Sequence, residues 1–164
     1  MAKQKEEKTN VMRVLEQKSI PYTAHTYEHE EGVAVDGVTV ANSLGQDPEC
    51  VFKTLVARGA SKGIYVFVIP VADSLDLKKA AKAVGEKSIE MVAVKEITAL
   101  TGYVRGGCSP VGMKKEYPTV FHETAEIIDT IMVSAGKIGY QVELAPDALI
   151  SLVGGTLADL TTEN

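Results

Sequence analysis

Val51-Phe52-Lys53-Thr54-Leu55-Val56-Ala57-Arg58 and Ile64-Tyr65-Val66-Phe67-Val68-Ile69-Pro70 read as two apolar strands, and Gly59-Ala60-Ser61-Lys62-Gly63 between them reads as the turn of a hairpin. A hairpin in mid-chain interrupts the strand–helix–strand alternation that a doubly wound parallel sheet requires. Upstream, Asp36–Leu44 forms a short helix closed by Gly45, Tyr22–Tyr27 a strand, and Thr9–Lys18 an amphipathic helix that Thr9 caps and Pro21 prevents from continuing. Downstream, Asp76–Val84 is the clearest helix, with an aspartate at its start and Gly85 after its end. Ile89–Val92 returns as a strand and Val94–Leu100 as a helix stopping before Gly102. Thr119–His122, Ile127–Ser134 and Gln141–Ala145 are strands, Pro146–Val153 is a helix with proline in its first turn, and a short strand starts at Thr156. Helices and strands interleave irregularly. A mixed or partly closed sheet carrying helices is therefore expected rather than a doubly wound parallel one, in one domain spanning residues 1–164 without repeats or linkers.

A chain of 164 residues buries roughly two-thirds of its unfolded surface and needs no disulfide or structural metal. Its two cysteines, Cys50 and Cys108, lack zinc or redox spacing, and Met1–Lys5 is not followed by an apolar signal core, so a reducing cytoplasm is expected. No apolar stretch approaches the length of a membrane span. The net charge of −5 argues against binding nucleic acid, DNA included, mainly by long-range attraction. Local basic patches remain, Lys78, Lys79, Lys82 and Lys87 around one helix and Arg105, Lys114, Lys115 and Lys137 beside two glycine loops.

Those loops, Gly106-Gly107-Cys108-Ser109-Pro110-Val111-Gly112 and Ser134-Ala135-Gly136-Lys137-Ile138-Gly139, are candidate sites because glycine lets backbone N–H groups approach a ligand. The first has the glycine spacing of a nucleotide-triphosphate loop, but Met113 stands where lysine is needed and Pro110 removes an N–H. Hydrolase elbows, kinase signatures and metalloprotease helices do not occur. If their segment continues as a strand, His25 and His29 are separated by roughly 13 Å at about 3.3 Å per residue, too far for one metal ion. His122 reads as a hydrogen-bond partner. Cys108 has no histidine near it in sequence, though Arg105 could lend it a positive field; the favoured reading is a small residue filling a tight turn, with a nucleophile as the alternative. Cys50 reads as structural too. Lys53 shares a strand face with Val51 and Leu55 while Phe52, Thr54 and Val56 occupy the other, so its ammonium has to reach a cleft, a partner or a strand end.

His25-Thr26-Tyr27-Glu28-His29, Phe52-Lys53-Thr54-Leu55, Leu77-Lys78-Lys79-Ala80-Ala81-Lys82, Thr101-Gly102-Tyr103-Val104-Arg105 with the first glycine loop, and Val133 with the second together resemble the YbaK-type family over nearly the whole chain. That family comprises free-standing aminoacyl-tRNA deacylases related to the editing domain of bacterial prolyl-tRNA synthetase. The resemblance implies an α+β fold, a mixed, partly barrel-like sheet with flanking helices, and trans-editing hydrolysis of mischarged aminoacyl-tRNA, foremost Cys-tRNA(Pro). It implies aminoacyl-tRNA and prolyl-tRNA synthetase as partners, and neither cofactor nor metal. The family's essential lysine falls on Lys53, next to Thr54. Its Gly-x-Ser-Pro-x-Gly loop falls on Gly107, Ser109, Pro110 and Gly112, preceded by Gly106, its later loop on Ser134 and Gly136, and its pocket tyrosine on Tyr27. Glu30–Val38 departs from the pattern, with valines, glycines and Asp36 where the Cys-tRNA(Pro) branch places an aromatic ring. An Ala-tRNA deacylase of the same fold, or a non-catalytic module binding aminoacyl-tRNA or a synthetase, are the alternative readings. In the branch acting on cysteine, the substrate's own thiol attacks the ester, which would account for a site without an evident base.

Overall fold

The structure is a computed structural model that describes residues 8–30 and 32–162. Met1–Lys5, read above for a leader, and Glu31 lie outside the described residues. Five α-helices form among the described residues, three of them where the sequence supplies a side-chain cap. The helix α1 (Asn10–Gln17) starts where Thr9 Oγ1 accepts from the Met12 N–H at 3.3 Å, and it buries Val11, Met12 and Leu15. Asp36 caps α2 (Gly37–Ser43) by accepting from the Thr39 N–H. Asp76 caps α3 (Leu77–Val84), which Gly85 ends in the left-handed conformation at φ 74°. The remaining two are α4 (Val94–Thr101) and α5 (Pro146–Val153). No described helix is long and apolar enough to cross a membrane.

The strands are β1 (Thr23–Thr26), β2 (Phe52–Gly59), β3 (Ile64–Pro70), β4 (Ile89–Met91), β5 (Thr119–His122), β6 (Ile131–Ser134), β7 (Tyr140–Leu144) and β8 (Thr156–Ala158). They make a three-stranded sheet in the order β1-β7-β6 and a five-stranded sheet in the order β4-β2-β3-β5-β8. The hairpin β2–β3 is antiparallel with Lys53 opposite Ile69, whereas β3–β5 and β5–β8 are parallel, which makes the sheet mixed. A single parallel bridge between Val51 and Met132 joins the two sheets. The sheet is not closed into a barrel: among the described residues β1 and β8 stay edge strands and do not pair with each other. The sixth strand is shorter than the apolar run Ile127–Ser134 suggested. Glu123–Ile127 forms a 3₁₀ helix instead, and the Ile127 side chain is 83% exposed, so its apolarity reported no core position.

The two faces of β2 serve different cores. Phe52 packs with Val66 and Val68 against α1, the inner face of β6–β7 and Leu149 of α5. Ala57, Phe67 and Ile69 on the other face pack against Ala80 and Ala81 of α3. On that second face Val51 joins Met132, Val71 and Ala41 of α2 in a separate cluster. Lys53 therefore stands between two apolar clusters, at the place where the cover of the sheet is interrupted.

Candidate active site

Strand alternation decides which backbone groups of β2 are committed. Val51 O accepts from Val71 N at 2.8 Å and Gly59 N donates to Gly63 O at 2.8 Å, so odd-numbered residues bond β3. Even-numbered residues face the opposite edge, where Val56 O accepts from Val92 N at 3.2 Å. That edge is paired with β4 only over Ala57–Gly59 and bridged to β6 only at Val51. Between them, over residues 52–55, this edge has no ladder partner among the described residues and leaves a split beside β6. The backbone of Thr54 is turned into this split without a paired strand. On β6 the Ala135 N–H bonds Tyr140 O, so by the same alternation the Ser134 backbone faces the split from the other side.

A cavity of about 490 Å³ occupies the split. Lys53, Thr54 and Leu55 form one wall, Ser134 and Gln141 another, and Tyr27, Asp36, Gly37, Met91, Val94, Ile97, Arg105, Gly106 and Cys108 complete it. The volume is in the range of small-ligand pockets. Lys53 and Ser134 lie on the same face of the sheet, because Val51 and Met132 pair in parallel two residues earlier on each strand. Gln141 is the cross-strand neighbour of Ser134 and shares that face.

Burial lowers the pKa of the Lys53 ammonium, and the charge of Asp73 partly offsets this. Ser134, 8% exposed, accepts from the Gly136 N–H through Oγ at 3.1 Å. Gln141, 7% exposed, keeps Oε1 buried with no hydrogen-bond partner among the described residues, and so does Thr54 with its Oγ1. Buried polar atoms are costly when unpaired, and two beside one cavity mark a wall prepared for a polar guest. Sequence reading did not single out Gln141. Its signal is a polar residue at a buried alternation of a strand, next to Val142 and opposite Ser134.

The candidate residues separate into two groups. Tyr27, Lys53, Thr54, Gly106 and Ser134 line the cavity; Gly107, Ser109, Gly112 and Gly136 do not. The second group holds the loops in place. A Cβ at Gly107 would lie 3.1 Å from Ile138 N and 3.2 Å from Lys137 C, so the first loop packs backbone to backbone on the second. Ser109 is fully buried and accepts from the Val111 N–H at 3.2 Å. Gly112 and Gly136, at φ 74° and 92°, both approach the Tyr103 ring, whose hydroxyl donates to Val111 O. The two loops are thus one unit with Tyr103 wedged between them.

Cys108 reaches the cavity and Cys50 does not line it, and the histidines have partners of their own. Burial pushes the Cys108 thiol up to about 11, with a hydrogen bond to Thr101 only partly opposing it, so little thiolate is present near neutrality. Burial also raises Cys50. His25 Nε2 is 2.9 Å from Glu143 Oε1, His29 Nδ1 is 3.3 Å from Tyr27 O, and His122 Nδ1 accepts from the Leu160 N–H at 3.1 Å.

A half-buried ammonium, buried hydroxyl and amide groups and unpaired strand backbone around one cavity are groups that can bind and polarise a carbonyl placed among them. Residues 32–152 match the model of the aminoacyl-tRNA editing domain. The chain belongs to that family. It is 49% identical over 164 residues, 99% of each chain, to an Enterococcus faecalis (strain ATCC 700802 / V583) protein provisionally named Cys-tRNA(Pro)/Cys-tRNA(Cys) deacylase EbsC. It is 29% identical over 100 residues to the proline–tRNA ligase of Shouchella clausii (strain KSM-K16), covering 61% of this chain and 17% of the ligase. A crystal structure described provisionally as a trans-editing enzyme for prolyl-tRNA synthetase superposes with a TM-score of 0.79 at 24% identity, over 93% of this chain and 95% of the other, and shares the fold.

Proposed function

We propose that this protein hydrolyses mischarged aminoacyl-tRNA in trans, with Cys-tRNA(Pro) as its principal substrate. The observation that carries this reading is Lys53: an ammonium held half-buried at an open strand edge, in a chain of the editing family, where burial makes its charge costly unless a ligand uses it. In this reading Lys53 is the catalytic residue. Tyr27, Thr54, Gly106 and Ser134 contact the substrate, while Gly107, Ser109, Gly112 and Gly136 shape the loops around it.

An aminoacyl ester needs polarisation and a held nucleophile rather than a strong enzyme base. The cysteinyl substrate brings the nucleophile with it. Its ionised thiol forms an S–C bond to its own ester carbonyl, the C–O bond to the tRNA 3′ oxygen breaks, and that oxygen takes up a proton. Water then opens the resulting thiolactone to free cysteine. Lys53 stabilises the negative charge that develops on oxygen in the first step. The raised thiols of Cys108 and Cys50 agree with a substrate-borne nucleophile. Selection of tRNA(Pro) comes from association with prolyl-tRNA synthetase, in keeping with the likeness to the ligase from Shouchella clausii.

The test is a deacylation panel on Cys-tRNA(Pro), Ala-tRNA(Pro) and Ser-tRNA(Pro). Fast clearance of the cysteinyl species is expected. Preference for the alanyl species would move the assignment to an Ala-tRNA deacylase, and no turnover of any would make the chain a binding module.

A further inference from the structure

The split between β2 and β6 has a polarity that the candidate residues alone do not express. One residue, Thr54, directs both its N–H and its C=O into the cavity, because its neighbours Lys53 and Leu55 are the ones bonded to Ile69 and Phe67 of β3. In an antiparallel sheet such a residue exchanges two hydrogen bonds with one residue opposite it, N–H to C=O in both directions. An aminoacyl ester carries the same pair of groups on one residue, an amino N–H and an ester C=O.

We infer that the aminoacyl end of the substrate docks as a one-residue antiparallel strand on Thr54, whose N–H donates to the ester carbonyl and whose C=O accepts from the α-amino group. This rests on the deacylase reading above. A parallel orientation cannot use both groups of a single guest residue, so the direction is fixed. It places the ester carbonyl beside the Lys53–Thr54 peptide, within the field of the Lys53 ammonium, and the α-amino group toward Leu55, away from that like charge. The guest side chain then falls on the Thr54 side of the sheet, where Thr54 Oγ1 lacks a partner among the described residues. The Thr54 N–H becomes a positioning donor for the oxygen on which charge develops, a role for main chain that no side-chain motif reveals.

The experiment uses the full chain, labelled with nitrogen-15, and 3′-cysteinylamino-3′-deoxyadenosine, in which an amide replaces the scissile ester. On binding, the Thr54 amide should shift downfield and exchange with solvent at least about tenfold more slowly, while the amides of Lys53 and Leu55, already bonded to β3, keep their rates. The 3-mercaptopropionyl counterpart, which lacks the α-amino group, should bind about tenfold more weakly. Thr54→Val, which retains the backbone, should preserve the amide protection. Binding reported by shifts at Gly106 and Ser134 with no change in Thr54 exchange would overturn the docking mode and leave the deacylase reading standing. Equal binding of the two analogues would overturn it as well. Absence of any binding would overturn both.

Discussion

Lys53 combines two requirements that act in opposite directions on pH. Burial lowers its pKa, so the folded chain binds this proton less tightly than the unfolded chain does. Between the lowered folded value and the ordinary lysine range the unfolded state carries more protons, and the contribution of this group to stability rises with pH. Activity that needs the ammonium falls over the same interval. The alkaline limb of kcat/KM, corrected for spontaneous ester hydrolysis, is expected below the ordinary lysine range; a limb at or above that range would separate the rate from Lys53. Lys53→Ala should abolish turnover while urea unfolding shows stability unchanged or raised, since the lysine fills no core. Lys53→Arg should also lose most of the rate, because a planar guanidinium does not replace a compact ammonium in a shaped cavity. Cys50→Ser and Cys108→Ser should each keep most activity, and a trapped acyl-enzyme that disappeared in Cys108→Ser would contradict this.

Element by element, the loops and strand ends are where substitutions should separate architecture from chemistry. Gly107→Val drives a side chain into the backbone of Lys137 and Ile138 and should destabilise by about 1–3 kcal/mol while impairing the rate, read by denaturant unfolding alongside deacylation. His122→Phe removes the acceptor for the buried Leu160 N–H at the end of the sheet, outside the cavity lining. It should cost about 1–3 kcal/mol of stability and leave kcat near normal; a large loss of kcat would show that this end of the sheet is coupled to the site. The elements themselves were legible where chemistry is local: Thr9, Asp36 and Asp76 cap the helices read from them, and Gly59–Gly63 turns the hairpin. Ile127 misled because an apolar residue on an exposed 3₁₀ turn has the same sequence signature as the start of a strand. Lys53 was legible as a charge in an apolar run. The split was not, because it depends on β2 and β6 being bridged at Val51 and Met132, residues 81 positions apart in sequence. For the same reason Gln141, opposite Ser134, was passed over, and the packing of Gly107 on the backbone of the second loop and of Gly136 on Tyr103 was not visible.

For the molecule as a whole, a net charge of −5 leaves little long-range attraction for tRNA. The isolated chain should bind tRNA weakly and discriminate poorly among tRNA species at physiological salt, gaining selectivity for tRNA(Pro) when prolyl-tRNA synthetase is added. Tight, tRNA(Pro)-selective binding by the chain alone would contradict that division of labour. The central claim is that a site without an enzyme nucleophile clears a substrate that carries its own. Its most direct test is the single-turnover rate on Cys-tRNA(Pro) against Ser-tRNA(Pro), nearly equal in size, measured in the natural chain and in the double variant Cys50→Ser/Cys108→Ser. The account predicts much faster clearance of the cysteinyl ester in both proteins. Equal rates on the two esters, or a preference lost together with the enzyme's own cysteines, would contradict it.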